Sequence, residues 1–472
     1  MQNMSWMRVN DYRLFAVIIY FAVSSTTLAE VTFENVSESM GAGGGGSAAW
    51  VDYDQDGWTD LQTDALYHNQ GGVKFVKIGP GNDGNSWCDF DNDGHLDYFV
   101  SSGGQICFGK GDGTFDCQAV PKRPMSVSLG GACMDINGDG LVDIYCGGYE
   151  IWGKVAAFPD AIYTNQGDRK FEFTWKSMYP YPARGVTVAD YNNDGATDIY
   201  VSNYRLRGNI LWRGTKSGQL AFASVESGVL GGSAHTIGSA FGDIDSDGNI
   251  DLFVGNFAHA GQQQSIFFKN LGIAENYKFE NKGTCGVIYQ ESYASPALGD
   301  YDNDGDLDLY FTTVYGHNHA KFFRNDGDWN FTEISGPAGL GGMPPTYQAA
   351  WGDYDNDGDL DLATGGRLYR NQGTPGNWLK VKLRGNATVD QSGGVNRAAI
   401  GAQVRIQLGD RVLTRQVASA TGQGNMNDLT LHFGLGDHTG QVELEIMWPY
   451  TVEKQRVRTE VNRVISVIKG ND

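Results

Sequence analysis

The chain has 472 residues, with 56 Asp and Glu against 35 Lys and Arg, a formal charge of -21 and a sequence pI near 4.7. So acidic a protein is a poor partner for nucleic acid, whose phosphates are neutralised by Lys and Arg. The 66 glycines point to a chain rich in tight turns.

At the N-terminus Arg8 and Arg13 precede an apolar run, Leu14 to Val23, and Thr27-Leu28-Ala29 offers a small-residue cleavage site. This is the pattern of an export signal over residues 1–29. The apolar run is too short to cross a bilayer, and no other segment is long and apolar enough, so no membrane span is expected. The expected location is secreted or extracellular, or the periplasm or cell surface if the source is bacterial.

Beyond the leader, the nine-residue phrase Asp-x-Asp/Asn-x-Asp-Gly-x-x-Asp occurs seven times. Positions 1, 3, 5, 7 and 9 are Asp52, Asp54, Asp56, Trp58 and Asp60 in the first copy, and Asp89, Asp91, Asp93, His95 and Asp97 in the second. They are Asp135, Asn137, Asp139, Leu141 and Asp143 in the third, and Asp190, Asn192, Asp194, Ala196 and Asp198 in the fourth. The fifth has Asp243, Asp245, Asp247, Asn249 and Asp251. The sixth has Asp300, Asp302, Asp304, Asp306 and Asp308, and the last Asp353, Asp355, Asp357, Asp359 and Asp361. The first residues are 37, 46, 55, 53, 57 and 53 positions apart, a period near that of propeller repeats.

Carboxylates packed this densely repel one another unless a cation sits among them. A hard divalent cation takes six to eight oxygens, and the spacing follows the first half of an EF-hand loop, with Gly at 6 for the sharp turn and a backbone carbonyl at 7. About seven Ca²⁺ are therefore expected. The leader holds Arg8, Arg13 and Asp11, so its removal leaves -22, and seven Ca²⁺ would bring this to -8. That is an ordinary value for a soluble domain.

The loops are flanked by strand-like runs such as Ala49-Trp50-Val51 before and Asp198-Ile199-Tyr200-Val201 after. A second hairpin follows, marked by Asn-x-Gly and then Phe, as in Leu66–Phe75 and Phe322–Phe331. Four strands per unit make a propeller blade. The last unit lacks its fourth strand, and Val31–Val36 is a spare strand of that type, so it is expected to close the ring. The fold expected is all-β: a seven-bladed β-propeller over residues 30–376 followed by a small β-sandwich domain over 377–472.

The six cysteines lie between Cys88 and Cys285. Cys107 with Cys117 and Cys133 with Cys146 are expected disulfides, in keeping with an oxidising compartment. Cys88 and Cys285 are expected to be buried thiols. All seven acidic loops should lie on one face of a propeller. The opposite face then gathers His235, His259, His317 and His319, with Tyr149, Arg184, Tyr204 and Arg205. His432 is expected to be structural.

The repeats resemble FG-GAP/VCBS repeats, which build the propeller of integrin α subunits with calcium in the same loop. Asn377-Trp378-Leu379, Asn396-Arg397, Ile400-Gly401-Ala402, His432-Phe433-Gly434-Leu435-Gly436 and Trp448-Pro449 resemble the ASPIC/UnbV domain. Tyr450-Thr451 departs from that pattern, which more often has a small residue and Gly. The combination is the layout of the cartilage acidic protein family. It implies a secreted calcium-binding protein used in adhesion or matrix contact, with an extracellular protein or glycan as ligand. Enzyme signatures such as Gly-x-Ser-x-Gly, a phosphate-binding Gly loop and His-Glu-x-x-His are missing. The alternative reading is a metal-dependent enzyme with a transition metal held by His235, His259, His317 and His319 in the central mouth. A third is a matrix component that self-associates through calcium.

Overall fold

A computed structural model describes residues 31–472, apart from 82–84, 123–127, 230–233, 390, 391, 471 and 472. The expected export signal lies outside the described residues. Residues 31–472 form one compact unit. Among the described residues only one α-helical turn, Ser37–Met40, and one 3-10 turn, Ile273–Glu275, interrupt the strands, and no helix is long and apolar enough to cross a membrane.

Seven four-stranded antiparallel sheets follow one another along residues 33–371. Their first strands are Ala49–Val51, Asn85–Cys88, Gly131–Met134, Ala183–Ala189, His235–Gly242, Tyr293–Gly299 and Ala349–Gly352. The second strands begin on the ninth residue of the acidic phrase, at Asp60, Asp97, Asp143, Asp198, Asp251, Asp308 and Asp361. In the last sheet Phe33–Asn35 pairs with Arg367–Asn371 and supplies the fourth strand. First strands pack on first strands from one sheet to the next, and the last packs on the first: Trp50 Nε1 donates to Ala350 O at 3.0 Å and its ring stacks on Tyr354. The architecture is a β-propeller.

From Asn377 a three-stranded and a four-stranded sheet face each other. The first holds Leu431–Gly436, Asn377–Arg384 and Arg463–Ile468; the second holds Arg411–Gln416, Gln403–Leu408, Gln441–Met447 and Lys454–Glu460. Their core is continuous with the propeller, since Leu379, Val381, Phe433 and Trp448 belong to one apolar cluster with Phe90, Phe99 and Ile144.

The segment between Gln416 and Leu431 leaves this pair of sheets and runs among the first strands of the propeller. Ser419 Oγ donates to Cys133 O and accepts from its N–H. Thr187 Oγ1 donates to Ala420 O, Gly422 N to Ser239 O, and Gln423 N to Ser295 Oγ. Met426 exchanges backbone hydrogen bonds with Ala48 and Trp50, and its sulfur accepts from Trp87 N. Asn427 Oδ1 accepts from Trp351 N. All seven first strands are thus bonded to this axial segment. The first strand of a sheet has one edge without a neighbour, and the segment satisfies groups there that would otherwise be buried unpaired. Gly238 permits the approach: a Cβ there would lie 2.8 Å from Gly422 Cα.

The cysteines differ in part from expectation. Cys107 and Cys117 face each other in register and form a disulfide. Cys133 and Cys146 do not, because Cys133 pairs with Ile144 and Cys146 with Gly131. Cys146 Sγ lies 3.4 Å from Ser128 Oγ instead. Cys88 is buried, whereas Cys285 is only half-buried.

Met426 is fully buried at the centre of these contacts. Met426→Ala is expected to lower stability by about 2–5 kcal/mol through lost packing and the cavity left behind, read as a fall in melting temperature; an unchanged melt would show that the axial segment is not held.

Candidate metal loops and the opposite face

The acidic loops share one hydrogen-bond plan. The ninth carboxylate is buried, and its Oδ2 accepts the N–H of position 2 at 2.7–3.2 Å in all seven copies. Its Oδ1 accepts an N–H at or just after the end of the third strand, from Asn69, Gly109, Asn165, Gly214, Asn270, Asn325 or Asn371. Position 5 Oδ1 accepts the N–H of position 7 throughout. Position 1 Oδ2 accepts the N–H of the sixth-position Gly in six copies. That Gly has φ between +81° and +100°, a region costly for other residues.

These bonds draw side chains 1, 3, 5 and 9 inward. In several loops, acidic ligand atoms lie within 4.8 Å of one another, among them Asp52, Asp54 and Asp56; Asp89, Asp91 and Asp97; Asp243, Asp245 and Asp251; and Asp300, Asp302 and Asp304. Such clusters could hold a metal ion. Seven buried carboxylate oxygens have no hydrogen-bond partner among the described residues: Oδ1 of Asp52, Asp89, Asp300 and Asp353 at position 1, and of Asp245, Asp302 and Asp355 at position 3. Buried polar atoms are normally paired, so these oxygens fit a cation at the centre of the loop. Burial, reinforced by neighbouring carboxylates, pushes the acids up: Asp135 to about 6, and Asp190, Asp243, Asp304 and Asp355 to about 7.

Three features escaped the sequence reading. Position 4 has a positive φ in every loop, from +55° to +75°, which explains Asn at 92, 193, 303 and 356. A basic residue precedes the third-strand Asn in four sheets. His68 lies 3.3 Å from Asp54 and Asp60, Lys269 contacts Asp245, Arg370 pairs with Asp355, and Arg324 acts on Asp302 electrostatically. The signal was present as His/Lys/Arg-Asn-x-Gly. Finally, the same Asn reaches back to the previous loop: Asn371 Nδ2 donates to Tyr301 O and Asn69 Nδ2 to Tyr354 O.

The C-terminal sheets cover this face and touch every loop. Lys382 pairs with Asp52 and the buried Lys380 with Asp353. Arg397 N donates to Asn92 Oδ1, Arg405 to Asn193 Oδ1, and Thr414 N to Asp243 Oδ2. Arg415 donates to Gly305 O, and Gly434 N to Asp300 Oδ2. His432 Nε2 sits 2.9 Å from Gly358 O, and burial lowers its pKa to about 3. Tyr450, the departure noted above, donates its hydroxyl to Ile136 O.

On the opposite face the structure brings some of the histidines together. The His235 and His259 rings are 5.8 Å apart, and His259 Nδ1 lies 2.5 Å from Glu291 Oε1. His317 stands against Tyr315, and His319 Nδ1 faces Met343 O at 3.1 Å.

The repeats make this a propeller of the FG-GAP-like class: that family's model matches residues 89–146, 135–201, 190–254 and 300–364. Each match starts on a first-position Asp and ends on or near the strand after the next loop. The ASPIC and UnbV model matches residues 392–472, so the chain carries FG-GAP-like repeats followed by an ASPIC/UnbV region. Cartilage acidic protein 1 of Homo sapiens is 25% identical over 378 residues, 72% of this chain and 53% of that one. The Mus musculus protein is 25% identical over 379 residues, covering 72% and 55%. The chain thus spans about half the length of these relatives. Among solved structures, a chain from the crystal structure of BBS1N with ARL6DN matches over 74% of this chain and 99% of its own, at a TM-score of 0.44 and 11% identity.

The raised acids set a pH dependence for the cation-free protein. Their unfolded value is 3.8 and their folded values are about 6 to 7, so between these limits the folded chain binds more protons and stability falls as pH rises. The melting temperature of protein freed of divalent cations is expected to rise from pH 7.5 to pH 5; a flat or falling profile would contradict this.

Proposed function

We propose that the protein is a secreted adhesion or ligand-binding module, a closed seven-bladed propeller over residues 30–376 with a second domain over 377–472, stiffened by one Ca²⁺ in each acidic loop. The carrying observation is the set of seven buried carboxylate oxygens without a donor among the described residues, every one at position 1 or 3 of a loop. A hard cation with oxygen ligands fits that donor set, supplied by side chains 1, 3, 5 and 9 with the carbonyl of position 7. Two of the position 7 side chains favour this division of labour by turning elsewhere: Asp306 to Arg411, and Asp359 to Thr374 and Asn303. Export to a calcium-rich medium suits such loops. Cartilage acidic protein 1, the similar protein, supports the matrix-contact reading by its name.

With the loop face covered by the C-terminal sheets, the opposite face is where an extracellular protein or glycan would bind. One observation favours a second reading: His235, His259 and Glu291 converge there, and two imidazoles with a carboxylate could hold a transition metal for chemistry.

Elemental analysis of the mature protein after dialysis against metal-free buffer is expected to give about seven calcium per chain. A stoichiometric zinc, copper, iron or manganese would favour the enzyme reading. A chelator is expected to lower the melting temperature steeply at pH 7.5, and an unchanged melt would sink the structural role of calcium. Asp300→Asn is expected to remove about one calcium and leave the others in place.

A further inference from the structure

Arg184 is the second residue of the first strand Ala183–Ala189. The ladder slips there: Ala183 pairs with Asn203 and Gly185 with Ser202, which leaves Arg184 as an extra residue without a cross-strand partner. Bulges of this kind re-aim a side chain and are common beside functional sites. The guanidinium carbon lies 5.0 Å from the ring centre of Tyr204, 5.1 Å from Tyr347 and 5.7 Å from Tyr149. Three rings from three separate loops thus surround one cation.

Its Nε is buried and has no hydrogen-bond acceptor among the described residues. The carboxylates of this group are engaged elsewhere: Glu150 takes two hydrogen bonds from Arg205, at 2.9 and 3.1 Å, and Glu291 holds His259. Tyr347 also walls a cavity of about 460 Å³ at the mouth of the propeller axis, which Gln423 of the axial segment lines as well, and Arg184 lies against Tyr347 outside that lining. Gln423 Oε1 is buried without a donor among the described residues. A guanidinium with a free, buried N–H binds an oxyanion through charge-assisted hydrogen bonds. The tyrosine faces offer an apolar platform beside it. A chain of charge -21 repels long polyanions, and since Arg205 and Arg184 share the single carboxylate of Glu150, one negative charge is left to be supplied.

We propose that this mouth binds a small ligand bearing a single carboxylate on a six-membered ring, with the ring against Tyr347 in the cavity and the carboxylate reaching past it to Arg184. A uronic-acid sugar and an aromatic acid share this chemistry. The site rests on the ligand-binding reading given above and names the class of its ligand.

The test is saturation-transfer NMR on the calcium-loaded full chain, with glucuronate, benzoate and glucose as probes at millimolar concentrations. At least one acid is expected to bind saturably and glucose not, and which acid binds tells the two sources apart. Arg184→Gln is expected to weaken that binding about tenfold or more, with the melting temperature of the parent kept. Arg184→Lys retains the charge without the fork and is expected to fall between. If Arg184→Gln does not fold, Tyr347→Ala is expected to weaken binding in the same sense. Equal binding by glucose, no saturable binding of either acid, or a variant that binds like the parent would overturn the site. Calcium content is read on the same sample. A chain that holds calcium and ignores both acids loses this mouth site and leaves binding at other surfaces open. A chain that binds an acid without calcium in its loops loses the calcium reading alone.

Discussion

The structure depends on one repeated interaction, the buried carboxylate at the ninth position of each acidic phrase. Its two oxygens hold two backbone N–H groups, one at the start of its own loop and one by the end of the third strand. A single side chain therefore fixes the loop, the start of the second strand and the position of the third. Where the third strand ends in Asn, that residue's amide carries the fixation to the neighbouring sheet. The cost is a charge taken out of water, which burial raises far above the usual carboxylate range in Asp97, Asp143 and Asp308. The fold rests on the ninth carboxylate, while the unpartnered oxygens that could meet a cation lie beside it at positions 1 and 3.

The two faces divide the work accordingly. The loop face is covered, with Lys380, Lys382, Arg397, Arg405 and Arg415 directed onto it. Basic side chains complement the acidic loops there, and motif residues such as Arg397 and His432 serve docking. The opposite face keeps exposed rings, with Trp152 at 69% and Tyr315 at 38% of full exposure. The candidate metal loops and the proposed binding face are thereby separated by the depth of the sheets.

Much of this was legible because it is local. A nine-residue phrase dictates its own turn, and the alternation around it dictates strands, so the four-strand units could be read one by one. What could not be read has no local period. Thr421 to Asn427 look like an ordinary polar loop, yet they meet residues from 76 to 377 positions away, as in Asn427 with Trp351 and Asn425 with Ala48. The cysteines show the same limit. Cys133 and Cys146 bracket a loop at similar distances, but pairing depends on register, which sets Cys133 opposite Ile144. Among the histidines, the pair His235 and His259 comes together through sheet geometry, while His319 turns to Met343 O.

The axial segment also bears on how the chain reaches this state. Each of the first six sheets is built from neighbours in sequence and can form as it is synthesised. The last sheet waits for residue 371 to meet Phe33, and the seven first strands stay unsealed along the axis until residues 417–430 arrive. Contacts of such separation make folding slow, and intermediates with open strand edges are prone to aggregate. A ribosome-bound chain would carry a nearly complete ring with an open bore. Any damage to the last hundred residues would then act as a defect of maturation across the whole propeller.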